Sequence, residues 1–158
     1  SLSFAKSEIE KMGKKVISCD IAGTVNQWKS KISAYQQNGS NAILIISYDL
    51  VKDEKSGKNI SPKEIMEWTS SKSKIPIFGL KADIVDKGAL FSVMTSGIEH
   101  GREAALITLG LLNGKDVSDF PVKAVYGAVI LFNKKTAERL GIVLNKELLD
   151  SVDVIVGY

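Results

Sequence analysis

Polar side chains that can bind a small solute follow four apolar segments of the chain. They occupy residues 20–24, 47–49, 80–83 and 94–97. Hydroxyls, carboxylates and one aromatic ring are the groups with which a protein orients a small polar molecule. Tyr48 can cover an apolar side chain, and Asp49 or Asp83 can pair with an ammonium group. The sequence therefore predicts a binding site for a small polar ligand such as an amino acid.

The stretch 87–114 supplies the fourth of these segments and the clearest local pattern. Its apolar run 89–94 predicts a buried strand, and Ser96 precedes Glu99 by the three residues of a capping box, which predicts a helix that ends at Gly114. Free backbone N–H groups at residues 96–98 would then be able to receive a carboxylate. A purely structural interpretation stays open, in which Ser96 only caps the helix and the aspartates only form turns.

Reactive motifs are missing from the sequence. It contains no GxSxG, Walker A, GxGxxG or HExxH pattern, and its single histidine, His100, excludes a multi-histidine metal site. Cys19 is the only cysteine, so an internal disulfide is excluded. We therefore predict no enzyme activity, no metal and no cofactor, with a small flavodoxin-like enzyme or cofactor protein as an alternative.

The composition is that of an ordinary globular domain. The chain has 158 residues, of which 44% are hydrophobic and 25% charged, with a net charge of +3. Its lysines are dispersed and its only arginines are Arg102 and Arg139, so we predict no nucleic-acid partner. The longest mainly apolar run, 104–112, is about half of the ~20 residues of a membrane span, and the first residues do not resemble a signal peptide.

Strand and helix patterns alternate along the chain. We predict helices over 2–12, 24–39, 96–113, 133–140 and 145–149, and one that starts at residue 61 and includes residues 65–68. We predict strands over 16–20, 42–46, 75–80, 89–94, 122–132 and 152–156. This alternation predicts an α/β fold with a doubly wound, mostly parallel sheet in three layers, α/β/α. Cys19 should then be buried in a strand, and the four polar segments should converge at one edge of the sheet.

One part of the sequence also resembles a known family. The matching residues are Gly88, Ala89, Leu90, Ser92, Glu99, Gly101, Arg102, Ala104 and Ala105, and the match continues through 133–137, 140–142 and 147–149. This pattern resembles the C-terminal half of a family of ABC-transporter substrate-binding proteins, of the periplasmic-binding-protein type I-like class. Some members of that family are receptors for aromatic amino acids.

The resemblance implies that residues 1–158 form a single α/β lobe, a fragment of a two-lobed receptor that captures its ligand between the lobes. It assigns the ligand-lining positions to Ser47, Tyr48, Asp49, Asp83, Thr95 and Ser96. The family often has an aspartate and an aromatic residue where this chain has Ser96 and Gly97. Because a stacking ring is missing there, this departure argues against an aromatic amino acid as the ligand.

The resemblance also implies partners and a location. The partners would be a small-molecule ligand, the second lobe of the same receptor and an ABC permease, and the protein would be periplasmic or extracellular and associated with the membrane. The alternative function is that of a ligand-sensing domain in a membrane signalling protein such as a histidine kinase. A lobe without its partner would expose apolar surface, so we also predict a homodimer or a higher oligomer.

Overall fold

The computed structural model describes residues 2–123, 125 and 127–157. Its helices are α1 Leu2–Lys11, α2 Val25–Gln37, α3 Pro62–Lys72, α4 Asp83–Asp86, α5 Gly97–Leu112, α6 Lys134–Leu140 and α7 Lys146–Asp150, with a 3₁₀ turn at Val117–Asp119. Its strands are β1 Ile43–Ile45, β2 Ile77–Gly79, β3 Phe91–Thr95, β4 Ala128–Asn133 and β5 Val154–Val156. All but one of the predicted elements are present.

The five strands form one sheet in the order β1-β2-β3-β4-β5. Strands β1, β2 and β3 run parallel, β4 runs antiparallel to β3, and β5 runs parallel to β4. The predicted α/β fold with a mostly parallel sheet is thereby confirmed. The change of direction between β3 and β4 places Thr95 opposite Ala128, where the chain leaves and re-enters the sheet.

Side-chain caps fix the helix starts that the sequence predicted. Thr24 Oγ1 accepts a hydrogen bond from the Gln27 backbone N–H, and Ser96 Oγ accepts one from that of Glu99 at 3.3 Å. Asn133 Oδ1 accepts from the backbone N–H of Thr136 at 2.8 Å. Each cap satisfies an N–H group that the first helical turn leaves without an intrahelical partner, so the strand-to-helix corners are sharply defined.

One face of the sheet packs against α2 and α3. Ile43 and Ile45 of β1 and Ile77 of β2 point to this face, where they meet Trp28 and Met66. The two-residue alternation of a strand places these side chains together, and a buried aliphatic side chain contributes about 1.5–3 kcal/mol. This cluster supports the edge of the sheet from which the candidate site extends.

The opposite face carries an aromatic row. Phe78, Phe91 and Phe132 lie side by side on β2, β3 and β4, with ring centroids 6.1 Å and 4.9 Å apart. Ala137 of α6 packs on this row. Toward β1 the same face is open, since Leu44 is exposed. The apolar run 42–46 predicts helices on both faces of the sheet, and for this face near β1 that prediction is wrong.

Three further predictions from the sequence are corrected by the structure. Residues 16–20 form no strand, and Cys19 is exposed where we predicted it to be buried. The physical reason is that hydrogen bonds to Asp20 hold this segment against α2, so it forms no ladder with β1. Strand β4 begins at Ala128 and not at residue 122; Ala124 and Tyr126 of the predicted strand lie outside the described residues.

Candidate ligand-binding site

The carboxyl ends of β1, β2 and β3 share one edge of the sheet because these strands are parallel. The loop after β2 is fixed at this edge by the buried Ser92, whose Oγ lies 3.1 Å from the carbonyl oxygen of Gly79 and 2.7 Å from that of Lys81. A buried hydroxyl that bonds these carbonyls restrains the loop, so the side chains that follow it are held in place.

Two ion pairs surround the ring of Tyr48 at this edge. Lys81 pairs with Asp49, and Lys87 pairs with Asp83. Both ammonium groups lie 5.5 Å from the centroid of the Tyr48 ring, which is within the range of a cation–π interaction. We call these five residues the edge cluster. It holds two positive and two negative charges around one aromatic ring.

The Tyr48 side chain is 2% exposed, and among the described residues no hydrogen bond of good geometry reaches its hydroxyl. Burial raises the pKa of Tyr48 above its ordinary value, and the nearby carboxylates of Asp83 and Asp49 add to the effect. Burial opposes ionisation of Asp83, but Lys87, Tyr48 and Lys81 outweigh it and lower the pKa of that carboxyl group. At neutral pH the Asp83 carboxyl group is therefore ionised and the Tyr48 hydroxyl is neutral.

A cavity of about 380 Å³ lies beside Tyr48, between the segment 20–23 and the segment 47–51. Apolar side chains, including Leu44 and Leu50, form much of its wall. At one end Lys31 Nζ and the Tyr35 hydroxyl donate to the Asp20 carboxylate, at 2.5 Å and 2.9 Å. These bonds, with one from Ser18, lower the pKa of Asp20 to about 2. The cavity thus combines an apolar wall with a charged end, as small-molecule sites do.

The structure brings three of the six predicted site residues together: Tyr48, Asp49 and Asp83 belong to the edge cluster. Ser47 lines the cavity and is exposed. Thr95 and Ser96 lie at the same edge of the sheet. Thr95 is three residues beyond Ser92 on β3, a distance of about 10 Å along the strand. Within the described chain, no hydrogen bond or ion pair joins Thr95 or Ser96 to the edge cluster, and Ser96 serves as a helix cap.

Three lysines and one tyrosine of the site were not predicted as site residues from the sequence: Lys31, Lys81, Lys87 and Tyr35. A local signal existed for Lys87, because it follows Asp83 by four residues on a helix and such pairs face each other. Lys31 and Tyr35 reach Asp20 only through tertiary packing of α2, so no local pattern indicated them.

The site has the character of a binding surface. The described residues contain no group of three or more side chains that could hold a metal ion. None of the helices in the described part of the chain has the length and apolarity needed to cross a membrane. A profile of the ABC transporter substrate-binding protein family matches residues 2–156.

The chain belongs to the ABC transporter substrate-binding protein family. Proteins of this family bind solutes and are generally periplasmic or extracellular. No curated protein matches the sequence.

Solved structures of other proteins have a fold similar to that of this chain. A ligand-free, open substrate-binding protein with adhesive properties from Clostridium difficile is 21% identical, with a TM-score of 0.73 over 99% of this chain and 49% of its own. An ABC domain in complex with L-Trp from Streptococcus pneumonia is 22% identical, with a TM-score of 0.66, and the match covers 98% of this chain and 49% of the other. A conserved domain protein from Vibrio cholerae is also 22% identical, with a TM-score of 0.65 over the same shares. The chain thus spans about half the length of these structures and corresponds to one lobe of their fold.

Proposed function

We propose that this chain is one lobe of a solute receptor that captures a small zwitterionic molecule, such as an amino acid, for an ABC permease. The observation that carries the proposal is the edge cluster beside the 380 Å³ cavity. Its charges of both signs surround a buried ring at the carboxyl edge of a parallel sheet, which is where open α/β sheets bind ligands.

The charges of the edge cluster suggest how a zwitterion would be recognised. Without a ligand, Asp49 and Asp83 are neutralised by Lys81 and Lys87. A ligand ammonium would replace a lysine at one carboxylate, while the ligand carboxylate would receive the displaced lysine. The apolar part of the ligand would lie against the wall of the cavity. Charge neutrality is kept in this exchange, so a zwitterion fits better than a ligand with a net charge.

The same proposal includes a second lobe. Chains of similar fold are about twice as long as this one. A ligand at an exposed edge has contacts on only one side, and closure of a second lobe over the edge would supply the remaining contacts. We expect Ser47, Thr95 and Ser96 to contact the ligand in that closed state. The receptor would act outside the cytoplasmic membrane, in association with its permease.

Isothermal titration calorimetry of the 158-residue chain with the twenty amino acids tests this proposal. We expect weak binding, because half of the contacts are missing, and we expect it to be lost for the amide and for the decarboxylated amine of the same amino acid. Nanomolar affinity would contradict a half-receptor, and equal binding of the amine would contradict recognition of a zwitterion.

Asp83→Asn and Lys81→Met should each weaken the binding by tenfold or more, since each removes one charge from the edge cluster. Asp150→Asn is the matched control, because Asp150 is an exposed residue at the end of α7, away from the cluster. A membrane span and a kinase domain downstream in the complete gene product would instead assign the same lobe to ligand sensing.

A further inference from the structure

Helix α4 carries half of the edge cluster but is too short to be stable by itself. It has four residues, Asp83–Asp86, and Lys87 follows as its C-cap. The ion pair between Lys87 and Asp83 spans this single turn, so its geometry depends on the turn being formed. Within the described chain, no side chain of the N-cap residue Ala82 caps α4. Because nucleation fixes several dihedral angles for one hydrogen bond, a single turn is unfavourable in isolation and needs contacts from elsewhere in the fold.

Three buried side chains supply such contacts at the carboxyl end of α4. Ser70 Oγ of α3 and Thr136 Oγ1 of α6 donate to the carbonyl oxygen of Gly88, at 2.8 Å and 3.1 Å. Asn133 Nδ2 donates to the carbonyl oxygen of Val85 at 2.8 Å. The three donor residues are only 6–8% exposed, so water does not readily replace these bonds. We call Ser70, Asn133 and Thr136 the α4 anchor.

Gly88 is held in a backbone conformation that few other residues adopt. Its φ is +100°, and a Cβ at this position would lie 2.1 Å from Oγ of Ser70. The Gly88 N–H also donates to the carbonyl oxygen of Val85 at 3.0 Å, which closes the turn. The peptide groups on both sides of Gly88 are thereby fixed, and so is the backbone of Lys87, the residue before it.

The α4 anchor lies away from the ligand-binding edge of the sheet. Strand β4 runs antiparallel to β3, with Phe132 opposite Phe91, so Asn133 lies beside the amino end of β3. There the Asn133 N–H donates to the carbonyl oxygen of Leu90 at 2.9 Å. The edge cluster lies at the opposite edge, where the carboxyl ends of β1 and β2 are found. The anchor is thus connected to the edge cluster through α4.

We propose that Ser70, Asn133 and Thr136 are positioning residues for ligand binding, which through α4 hold Lys87 beside Asp83 and Tyr48. The inference rests on the proposed receptor function and adds that the affinity depends on side chains that the ligand does not touch. A site whose charged groups are held in place before binding loses less conformational entropy when the ligand arrives. The anchor therefore strengthens the binding of a zwitterion without a contact to it.

The double variant Ser70→Ala, Thr136→Val tests this proposal, because it removes both side-chain donors from the Gly88 carbonyl oxygen. Burial opposes ionisation of Asp83, and Lys87, Tyr48 and Lys81 together outweigh it and lower the pKa of its carboxyl group. With Lys87 less firmly held, that pKa should rise toward its ordinary value. NMR titration of the Asp83 carboxyl carbon measures the change without a ligand. In calorimetry, amino-acid binding should weaken by about threefold or more, since a site without its supporting bonds loses its geometry.

Ser73→Ala is the matched control. Ser73 is also a buried serine at the end of α3, and its Oγ donates to the carbonyl oxygen of Ile75 at 2.7 Å, within its own loop. This variant should be less stable than the unaltered chain, but the pKa of Asp83 and the amino-acid affinity should stay the same. The comparison separates the position of Lys87 from a general loss of stability.

An unchanged pKa of Asp83 in the double variant would overturn the proposal, and so would an equal rise in Ser73→Ala. If the double variant does not fold, the titration of Thr136→Val decides, and an unchanged pKa there has the same meaning. Equal amino-acid binding by the unaltered chain and the double variant would overturn the positioning role alone and leave the proposed function intact. If the unaltered chain binds no amino acid while the pKa of Asp83 still rises in the double variant, the proposed function fails and the effect of the anchor on Lys87 stands.

Discussion

The indole Nε1 of Trp28 donates a hydrogen bond of 2.8 Å to Oγ1 of Thr69, and both residues are buried. Thr69 in turn donates to the carbonyl oxygen of Ile65 at 2.6 Å. One hydroxyl thereby joins α2 to α3 under the sheet. Since α2 carries Lys31 and Tyr35, this bond also positions the charged end of the cavity.

Thr69→Val should destabilise the fold with little change in shape. Valine matches threonine in volume but offers no acceptor, so the buried Trp28 N–H loses its partner at a cost of about 1–3 kcal/mol. Urea unfolding followed by tryptophan fluorescence measures this loss. Ser71→Ala on the exposed side of the same helix is the control and should change the unfolding free energy by less than about 0.5 kcal/mol. Equal stability of the two variants would contradict the role of the bond.

Gly79→Ala should create a steric clash at the end of β2. A Cβ at this position would lie 2.5 Å from Cγ2 of Ile84, which is completely buried. We expect a loss of about 1–3 kcal/mol in unfolding free energy. The double variant Gly79→Ala, Ile84→Ala should lose less unfolding free energy than the sum of the losses in the two single variants.

Gly101→Ala is the opposite case and serves as the control for Gly79→Ala. Gly101 is inside α5, and within the described part of the chain no atom beyond the helix's own backbone lies within 4 Å of a Cβ at this position. Alanine there should stabilise the helix by about 0.5–1 kcal/mol through its higher helix propensity. A destabilised Gly101→Ala variant would show that this side of α5 is covered already in the 158-residue chain.

Asp20→Asn should destabilise the protein at neutral pH, and the destabilisation should become smaller as the pH falls toward 2. Folding lowers the pKa of Asp20 from 3.8 to about 2, so the stabilisation is complete above about pH 4 and is lost as the pH falls through 2. For a partly exposed carboxylate we expect a difference of about 1 kcal/mol at pH 7. Unfolding free energies at pH 7 and pH 2.5 measure it, with Asp150→Asn as the charge-matched control. A difference that persists unchanged at pH 2.5 would exclude the ionised carboxylate as its source.

Tyr48→Phe and Tyr35→Phe should have different effects on the free energy of unfolding. The Tyr48 hydroxyl is buried and forms no well-formed hydrogen bond with any residue that the structure describes, so its removal should leave the unfolding free energy unchanged or raise it by about 1 kcal/mol. The Tyr35 hydroxyl donates to Asp20 at 2.9 Å, so its removal should cost about 1 kcal/mol. Thermal or urea unfolding of both variants provides the comparison. A loss above 1 kcal/mol in Tyr48→Phe would mean that its hydroxyl is bonded to Asp83.

The sequence predicted what depends on local spacing. The caps at Thr24, Ser96 and Asn133 mark helix starts, because a hydroxyl or amide three residues before a free N–H is a local relationship. The apolar runs around β1 and β2 likewise predicted strands. The parallel arrangement then placed Tyr48 and Asp83 at one edge.

The sequence did not predict what depends on distant contacts. The segment 16–20 has the composition of a strand, but Asp20 is bonded to Lys31 and Tyr35, which are eleven and fifteen residues away. Those partners become neighbours only when α2 has packed.

Thr95 and Ala128 are direct partners across two antiparallel strands, so the ends of the intervening segment 96–127 stand side by side. Two-residue turns commonly connect such neighbours. The sheet could therefore be closed by a short hairpin with its remaining connections intact. An excised variant of this kind would retain the five strands and the edge cluster without helix α5, as a minimal module for engineering.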